Sequence, residues 1–348
     1  MSGTPDRANN FDLLRLAFAG SVFLWHVFVL SRAPALETFS QLFSAHVAVK
    51  GFFVISGYLV MMSYENSASL REYAGKRLRR IYPAYAAVVL GCAAAGTAFT
   101  SLPLAEYAGA DLWRYLAVNL VFLNFLAPTL PGVFEGQAFA EVNGALWTLK
   151  IEVMYYMFVP LLAWMLARFG RWRVLVVLYV LAVLYSVAMA ELHARTGAVI
   201  WLQLQRQLPG QLGYFLVGVA MYFLRGRMQG RWSVPAAVAL AVFVVTTAAS
   251  EPLISAIFEP LALGFLVIYA GIGLPHLGHF ARHGDLSYGV YIIHFPVLQA
   301  LVAAGLFASS PWVALLAGLV LVAILSALSW HLVERPFLSR QSWYRRAG

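Results

Sequence analysis

The chain has 348 residues, of which 61% are hydrophobic and only 11% are charged, and its mean hydropathy is +0.76. Soluble domains are about half apolar and about a quarter charged, so this composition excludes an ordinary soluble domain. The net charge of +9 comes from short basic clusters between long apolar runs, which favours a membrane-topology signal over nucleic-acid binding.

Ten apolar windows are long enough to form membrane-spanning helices of about 20 residues. They lie near 11–30, 44–64, 83–101, 145–167, 173–190, 208–224, 234–250, 253–273, 286–307 and 312–333. The first window is too long for the core of a cleaved signal peptide, so we interpret it as a membrane helix. The sequence therefore predicts an all-α, polytopic transmembrane helical bundle of about ten spans. We expect one membrane domain, 1–348, with no appended soluble domain.

Basic clusters occupy alternate connections between these windows. If the N terminus is cytoplasmic, every cluster falls on the cytoplasmic side, as the positive-inside rule requires. A shorter apolar segment, 112–127, is barely long enough to cross, and counting it as a span would break this agreement. We therefore expect that segment to be re-entrant or interfacial, and both termini to be cytoplasmic. The clusters contain Arg71, Lys76, Arg77, Arg79, Arg80, Arg168, Arg171, Arg173, Arg225, Arg227, Arg231, Arg282, Arg340, Arg345 and Arg346.

Two ionisable residues share the first predicted helix. Arg15 and His26 are eleven residues apart, which is about 16 Å along a helix and close to three full turns. Both side chains should therefore point to the same face, where a cation and an imidazole could line one channel. The alternative is that Arg15 reaches the lipid headgroups and His26 bonds a neighbouring carbonyl group.

The second cytoplasmic connection contains a predicted helix start and a cationic face. Ser69 should cap a helix that begins at Leu70, and Pro83 should mark the start of the next segment. Four basic residues between Lys76 and Arg80 spread over less than half of the helix circumference, which suits phosphate groups. Ordinary positive-inside charge is the alternative interpretation.

Two further ionisable residues lie inside the predicted spans. Glu152, in the fourth span, lies at about the depth of His26; it could orient an imidazole base or form a structural bridge with Lys150 or another buried cation. His294 lies in the ninth span, where an ionisable residue by default indicates a functional site. The alternative is that His294 is a hydrogen-bonded packing residue.

Other reactive residue types point to no further chemistry. His276, His279 and His283 have helical spacing, but they occupy a connection with Gly and Pro and have no obvious fourth ligand beyond Asp285, so we predict no metal. Cys92 lies in an apolar run, which is typical of a buried structural thiol.

Six short segments, taken in chain order, resemble the acyltransferase 3 family of bacterial membrane proteins. Members of that family O-acylate cell-surface and secreted glycans and some small molecules. Each segment alone is weakly specific, but the ordered set is highly specific and favours the functional interpretations of Arg15, His26 and the cationic face. The segments are Arg15 with His26, 51–58, 77–85, 147–152, 286–294 and 333–337.

The resemblance implies that acyl-CoA, with acetyl-CoA as the expected cosubstrate, binds from the cytoplasm and delivers its acyl group through the membrane domain. Arg77 and Arg80 would hold the nucleotide phosphates, and Arg15 would lie at the pyrophosphate or pantetheine entrance. His26 would act as general base on the acceptor hydroxyl, with Glu152 as its orienter. The expected acceptor is a hydroxyl of a sugar or cell-surface glycan.

The same resemblance implies a substrate channel and a cellular location. The channel residues would be Ser56, Tyr58, Tyr288 and His294. The protein would be a multi-pass protein among the lipids of the bacterial inner (cytoplasmic) membrane. The alternative function is a non-catalytic membrane carrier of an acyl donor or a glycan. Absence of a detectable internal repeat, together with a plausible base at the end of a cation-lined path, argues against that alternative.

Overall fold

The computed structural model describes residues 9–226, 232–249, 251–278, 280 and 284–338. It is 81% helical, and the described residues form no β-strand, which confirms the all-α class. The main helices are α1 (Phe11–Ser31), α2 (Ala45–Glu65), α3 (Leu70–Gly96), α4 (Ala110–Asn119), α5 (Trp147–Phe169), α6 (Arg171–Thr196), α7 (Leu208–Leu224), α8 (Ser233–Ala249), α9 (Pro252–Ile268), α10 (Ser287–Ala303) and α11 (Pro311–Leu328).

Shorter helical pieces connect or extend these helices. The π-helical turns Tyr269–Gly273 and Ser329–Glu334 continue α9 and α11. The remaining pieces are Pro34–Leu36, Glu37–Leu42, Leu104–Tyr107, Asn124–Leu126, Gly144–Leu146, Val199–Gln205, Leu306–Ser309 and Arg335–Phe337.

Each of the ten apolar windows overlaps one of the main helices. Within the described ranges, six helical stretches are long and apolar enough to cross a membrane: Phe11–Ser31, Pro34–Glu65, Gly144–Phe169, Arg171–Thr196, Pro252–Gly273 and Pro311–Phe337. The 17 residues of α7 and of α10 span about 26 Å, slightly less than the roughly 30 Å of a hydrocarbon core. The count of ten spans and the orientation of the termini stay predictions.

Some residues behind the topology prediction lie outside the described part of the chain. They are Arg227, Arg231, Arg282, Arg340, Arg345 and Arg346. The apolar surface is nevertheless visible on α6, where a row of large side chains is exposed, as a lipid-facing helix requires: Val176, Val177, Val180, Leu181 and Leu184.

The segment 112–127 forms only the ten-residue α4 and a 3₁₀ turn, Asn124–Leu126. Ten helical residues cover about 15 Å, half of a hydrocarbon core, which is consistent with a segment that does not span.

The expected break at Pro83 is wrong, because α3 runs without interruption from Leu70 to Gly96. Pro83 removes one backbone hydrogen bond, and the helix continues past it. The predicted cap is confirmed: Ser69 Oγ accepts a hydrogen bond from the Glu72 backbone N–H at 3.2 Å.

The chain divides into two compact units. The first unit comprises Met1–Leu14, Val49–Ala74 and Ile151–Gly278, and the second comprises Arg15–Ala48, Gly75–Lys150 and His279–Gly348. The expectation of a single domain stays a prediction.

Helices in the first unit approach each other backbone to backbone. A Cβ atom added at Gly57 would lie 2.0 Å from the Phe215 carbonyl oxygen, and one at Gly218 would lie 2.1 Å from the Val54 carbonyl oxygen. Only glycine therefore permits this packing of α2 against α7. A buried ion pair, Lys50 Nζ to Glu259 Oε1 at 2.7 Å, joins α2 to α9.

In the second unit, α10 packs against α11 and α1. Gly289 of α10 faces Ser326 of α11 so closely that an added Cβ would lie 2.9 Å from the serine Cβ. Gly318 of α11 faces Leu298 of α10 and Phe23 of α1 in ordinary contact. This packing brings the polar residues of α1 and α10 together.

Candidate active site

Two histidines meet inside the second unit. Nε2 of His294, on α10, lies 3.2 Å from Nδ1 of His26, on α1, and the ring centroids are 5.0 Å apart. His26 Nδ1 also lies 2.9 Å from the Val22 carbonyl oxygen, and His294 Nδ1 lies 2.8 Å from the Tyr291 carbonyl oxygen. Both rings are thus held by a backbone carbonyl one helical turn earlier and by each other.

These contacts assign the protons of the neutral pair. A carbonyl oxygen only accepts, so Nδ1 of each ring must carry the proton that it donates. His294 Nε2 is then an acceptor, and the His26 Nδ1–H is shared between Val22 and His294. Consequently, Nε2 of His26 carries a lone pair and can accept a proton.

Aromatic rings surround this pair. Trp25 and Phe295 lie with their ring centroids 4.9 and 5.3 Å from that of His26, and Phe23 lies 6.4 Å from His294. His294 is completely buried, whereas His26 is partly exposed. Of the two rings, His26 is therefore the one that a substrate can reach.

A second cluster, which we call the Arg–carboxylate cluster, consists of Arg15, Arg80, Asp285 and Glu334. Arg15 Nη1 lies 3.3 Å from Asp285 Oδ2, Arg80 Nη2 binds the same oxygen, and Arg80 Nη1 lies 3.4 Å from Glu334 Oε2. Both carboxylate side chains are 2% exposed, against 15–17% for the arginines. The cluster thus pairs two guanidinium groups with two buried carboxyl groups.

Asp285 is the centre of this cluster. Its Oδ1 accepts hydrogen bonds from the Ser287 backbone N–H at 3.1 Å and from the Ser287 hydroxyl. Burial alone would raise the pKa of the Asp285 carboxyl, but the guanidinium groups of Arg80 and Arg15 and the Ser287 hydrogen bonds outweigh it and hold that pKa below its usual range. Asp285 is therefore charged at neutral pH.

The sequence prediction that Arg15 and His26 share one face of α1 is confirmed. Arg15 contacts Asp285 and His26 contacts His294, so both side chains point to the same ten-residue stretch, 285–294. Sequence reasoning did not find a role for Asp285 or Glu334. The signal available was a carboxylate at the edge of each of two apolar windows, where an unpaired charge is costly.

Tyr288 supports the cationic face on α3. Its hydroxyl donates to the Ile81 carbonyl oxygen at 2.9 Å, and the Arg80 guanidinium carbon lies 5.7 Å from its ring centroid. Arg77 is partly buried one turn before Ile81, and Arg79 is exposed. Tyr288 thus fixes the helix turn that presents these cations.

Three of the predicted site residues lie in the first unit. Glu152 Oε1 accepts hydrogen bonds from the Tyr156 hydroxyl at 2.5 Å and from the Ser56 hydroxyl at 3.3 Å. Tyr58 is buried, and its ring contacts those of Phe11 and Tyr222 with centroid separations of 5.2 and 5.6 Å. Ser56 and Glu152 thus share one hydrogen-bonded group, whereas Tyr58 belongs to an aromatic cluster.

Lys150, the alternative partner proposed for Glu152, has its Nζ 4.5 Å from the Phe125 ring centroid in the second unit. No group of three His, Cys, Asp or Glu side chains that could hold a metal ion occurs among the described residues. His279 and His283 lie outside them.

Residues 9–331 match the model of a family described as an acyltransferase domain, here acyltransferase 3. This match covers nearly the whole chain. The chain belongs to the acyltransferase 3 family.

Three curated relatives are similar to this chain over most of their length. Nodulation protein 10 of Rhizobium leguminosarum bv. viciae is 30% identical over 94% of this chain and 92% of its own. The O-acetyl transferase of Shigella phage Sf6 is 29% identical over 97% of this chain and 98% of its own. The putative membrane-bound transacylase BcsY of Komagataeibacter xylinus is 28% identical over 85% of this chain and 77% of its own. No solved structure matches the chain.

Family membership and the helical architecture agree. The chain is an acyltransferase-family member whose apolar helices are typical of membrane proteins. The matched range contains both the histidine pair and the residues Arg15, Arg80 and Asp285 of the Arg–carboxylate cluster.

Proposed function

We propose that this protein is a membrane O-acyltransferase that moves an acetyl group from cytoplasmic acetyl-CoA to a hydroxyl of a sugar or cell-surface glycan. The observation that carries the proposal is the His26–His294 pair. It leaves a basic nitrogen, His26 Nε2, on a partly exposed ring among aromatic side chains. A general base of this kind is what hydroxyl acylation requires.

The proposed reaction balances without an external acid or base. As the acceptor oxygen attacks the thioester carbonyl, His26 Nε2 takes the hydroxyl proton. The C–S bond of the tetrahedral intermediate then breaks, and the imidazolium returns the proton to the departing thiolate. The products are an ester and free CoA. His294 is a positioning residue, because it accepts the His26 Nδ1–H and supports the positive charge that His26 briefly carries.

The donor site is proposed on the cationic face of α3. A phosphate at Arg80 or Arg15 would have to compete with Asp285 and Glu334, because these carboxylates already bind both guanidinium groups. Arg77 lies on the same helix, three residues before Arg80. We therefore propose that Arg77 and Arg80 hold the nucleotide phosphates and that Arg15 lies at the pyrophosphate or pantetheine entrance.

Acceptor and compartment rest on the family and its relatives. One relative is named an O-acetyl transferase, which favours acetyl as the acyl group. The family resemblance favours a glycan acceptor and the bacterial inner membrane. The predicted role of Glu152 as an orienter of His26 stays a prediction; Ser56 and Tyr156 are the groups that hold its Oε1.

The test uses full-length protein in lipid nanodiscs with acetyl-CoA and a mixture of cell-surface glycans. Release of free CoA should require both the glycan and wild-type protein. His26→Gln should abolish release, since glutamine keeps a hydrogen bond but cannot take the proton, whereas His331→Gln, at an exposed histidine, should not. CoA release by His26→Gln at the wild-type rate would refute the proposed mechanism.

A quenched reaction separates a base from a nucleophile. If His26 only moves a proton, intact-protein mass spectrometry should find no acetylated enzyme at any time point. A transient gain of one acetyl group on His26, appearing before ester product, would mean a covalent intermediate instead.

A further inference from the structure

A cleft lies at one end of the first unit, where α2, α5 and α7 end and α6 begins. Its volume is about 290 Å³, and its walls include Met61, Glu65, Leu166, Arg171, Trp172 and Phe223. Small-molecule pockets measure roughly 300–1,000 Å³, so this cleft is near their lower limit. It suits a compact polar group attached to an apolar body better than it suits a nucleotide cosubstrate.

Two opposite charges line this cleft without neutralising each other. Arg171 lies flat on Phe223, with its guanidinium carbon 3.9 Å from the ring centroid. Glu65 accepts a hydrogen bond from the Tyr222 hydroxyl at 2.7 Å. In the described part of the chain, Arg171 and Glu65 form no salt bridge with each other. Each charge is held by an aromatic side chain and faces one small space.

The remaining surroundings are those of a membrane interface. Trp172 is 43% exposed, and the neighbouring Trp164 and Phe169 are also exposed. Arg168 lies over the Phe169 ring at 5.5 Å. Exposed aromatic and basic side chains at the ends of apolar helices are typical of the lipid headgroup region. Met61 and Leu166 provide apolar walls in the same cleft.

We propose that this cleft binds the headgroup of a zwitterionic phospholipid that carries a primary ammonium group. Arg171 would donate in-plane N–H groups to the lipid phosphate, because stacking on Phe223 leaves the guanidinium edge accessible. Glu65 would accept from the ammonium group. The apolar walls would cover the glycerol and the first methylene groups. None of the residues that line this cleft takes part in the proposed transfer reaction.

The test compares three short-chain lipids on the full-length protein in detergent, with bound lipid counted by native mass spectrometry. Phosphatidylethanolamine offers both groups, phosphatidylglycerol offers the phosphate and neutral hydroxyls but no ammonium group, and phosphatidylcholine has a quaternary ammonium that cannot donate a hydrogen bond. Wild-type protein should bind phosphatidylethanolamine about fivefold more tightly than the other two, which is what one partly exposed charged hydrogen bond supplies.

Variants assign that preference to the cleft. Glu65→Gln should remove the preference for phosphatidylethanolamine, and Arg171→Ala should weaken binding of all three lipids. Arg168→Ala is the matched control, because Arg168 is a neighbouring arginine that does not line the cleft. Both tested side chains are exposed, so the unfolding temperature should stay at the wild-type value.

Two results would overturn the proposal. One is equal or tighter wild-type binding of phosphatidylglycerol, which would indicate general attraction of anionic lipid to basic residues. The other is an Arg171→Ala variant that binds all three lipids as Arg168→Ala does.

Discussion

Replacing Asp285 with asparagine should be one of the most destabilising single changes to a charged residue in this protein. Asp285 is 2% exposed and binds Arg15 and Arg80 through one oxygen. Asparagine keeps the shape but removes the negative charge that both guanidinium groups bind. Breaking a buried ion pair by removing one partner costs about 3–5 kcal/mol. Because the arginines are 15–17% exposed, we expect the lower end, about 3 kcal/mol.

A cost of about 3 kcal/mol is large against a total stability of about 5–15 kcal/mol. Glu191→Gln is the matched control. It removes a carboxylate from an ion pair with Arg195, but those side chains are 56% and 72% exposed, so the cost should be below about 1 kcal/mol. Unfolding of detergent-solubilised protein, followed by circular dichroism against denaturant, measures both differences.

A double variant separates lost charge balance from lost packing. Adding Arg15→Gln to Asp285→Asn removes one of the two guanidinium groups that Asp285 bound, so the double variant should be more stable than Asp285→Asn alone. The pKa of Asp285 lies below its usual range, so its stabilising effect should be constant from pH 5 to 8 and fade only below about pH 4. If Asp285→Asn costs no more than Glu191→Gln, the Arg–carboxylate cluster does not hold this unit together.

The remaining predictions concern catalysis, packing and topology. His294→Leu should lower kcat about tenfold to a hundredfold with KM unchanged. His294→Gln should keep more activity in the CoA-release assay, because its amide oxygen can still accept the His26 Nδ1–H. Gly218→Ala should lower the free energy of unfolding by about 1–3 kcal/mol, because its Cβ would lie 2.1 Å from an α2 carbonyl oxygen. Gly91→Ala is the control: it has open space around it and should be neutral or slightly stabilising in the same unfolding assay. Accessibility labels after Ser69 should report the cytoplasm and labels in 128–144 the outside; a cytoplasmic signal from 128–144 would make 112–127 a span.

Local patterns in the sequence determined which segments of this protein are helical. Apolar windows of about 20 residues needed no tertiary information, because lipid requires each segment to satisfy its own backbone hydrogen bonds. The Ser69 cap and the common face of Arg15 and His26 could also be predicted locally, because both follow from the geometry of a single helix. Pro83 was the local exception, since one missing hydrogen bond did not end α3.

Only the tertiary structure decided which polar residues meet. His26 and His294 are 268 residues apart, and the sequence alone offered Glu152 as the orienter of His26. The sequence placed Asp285 in a connecting loop, and only the structure shows that Arg15 of α1 and Arg80 of α3 bind it. Partners across helices depend on rotation and depth, which small residues such as Gly289 set by allowing close approach, and no local pattern encodes those quantities.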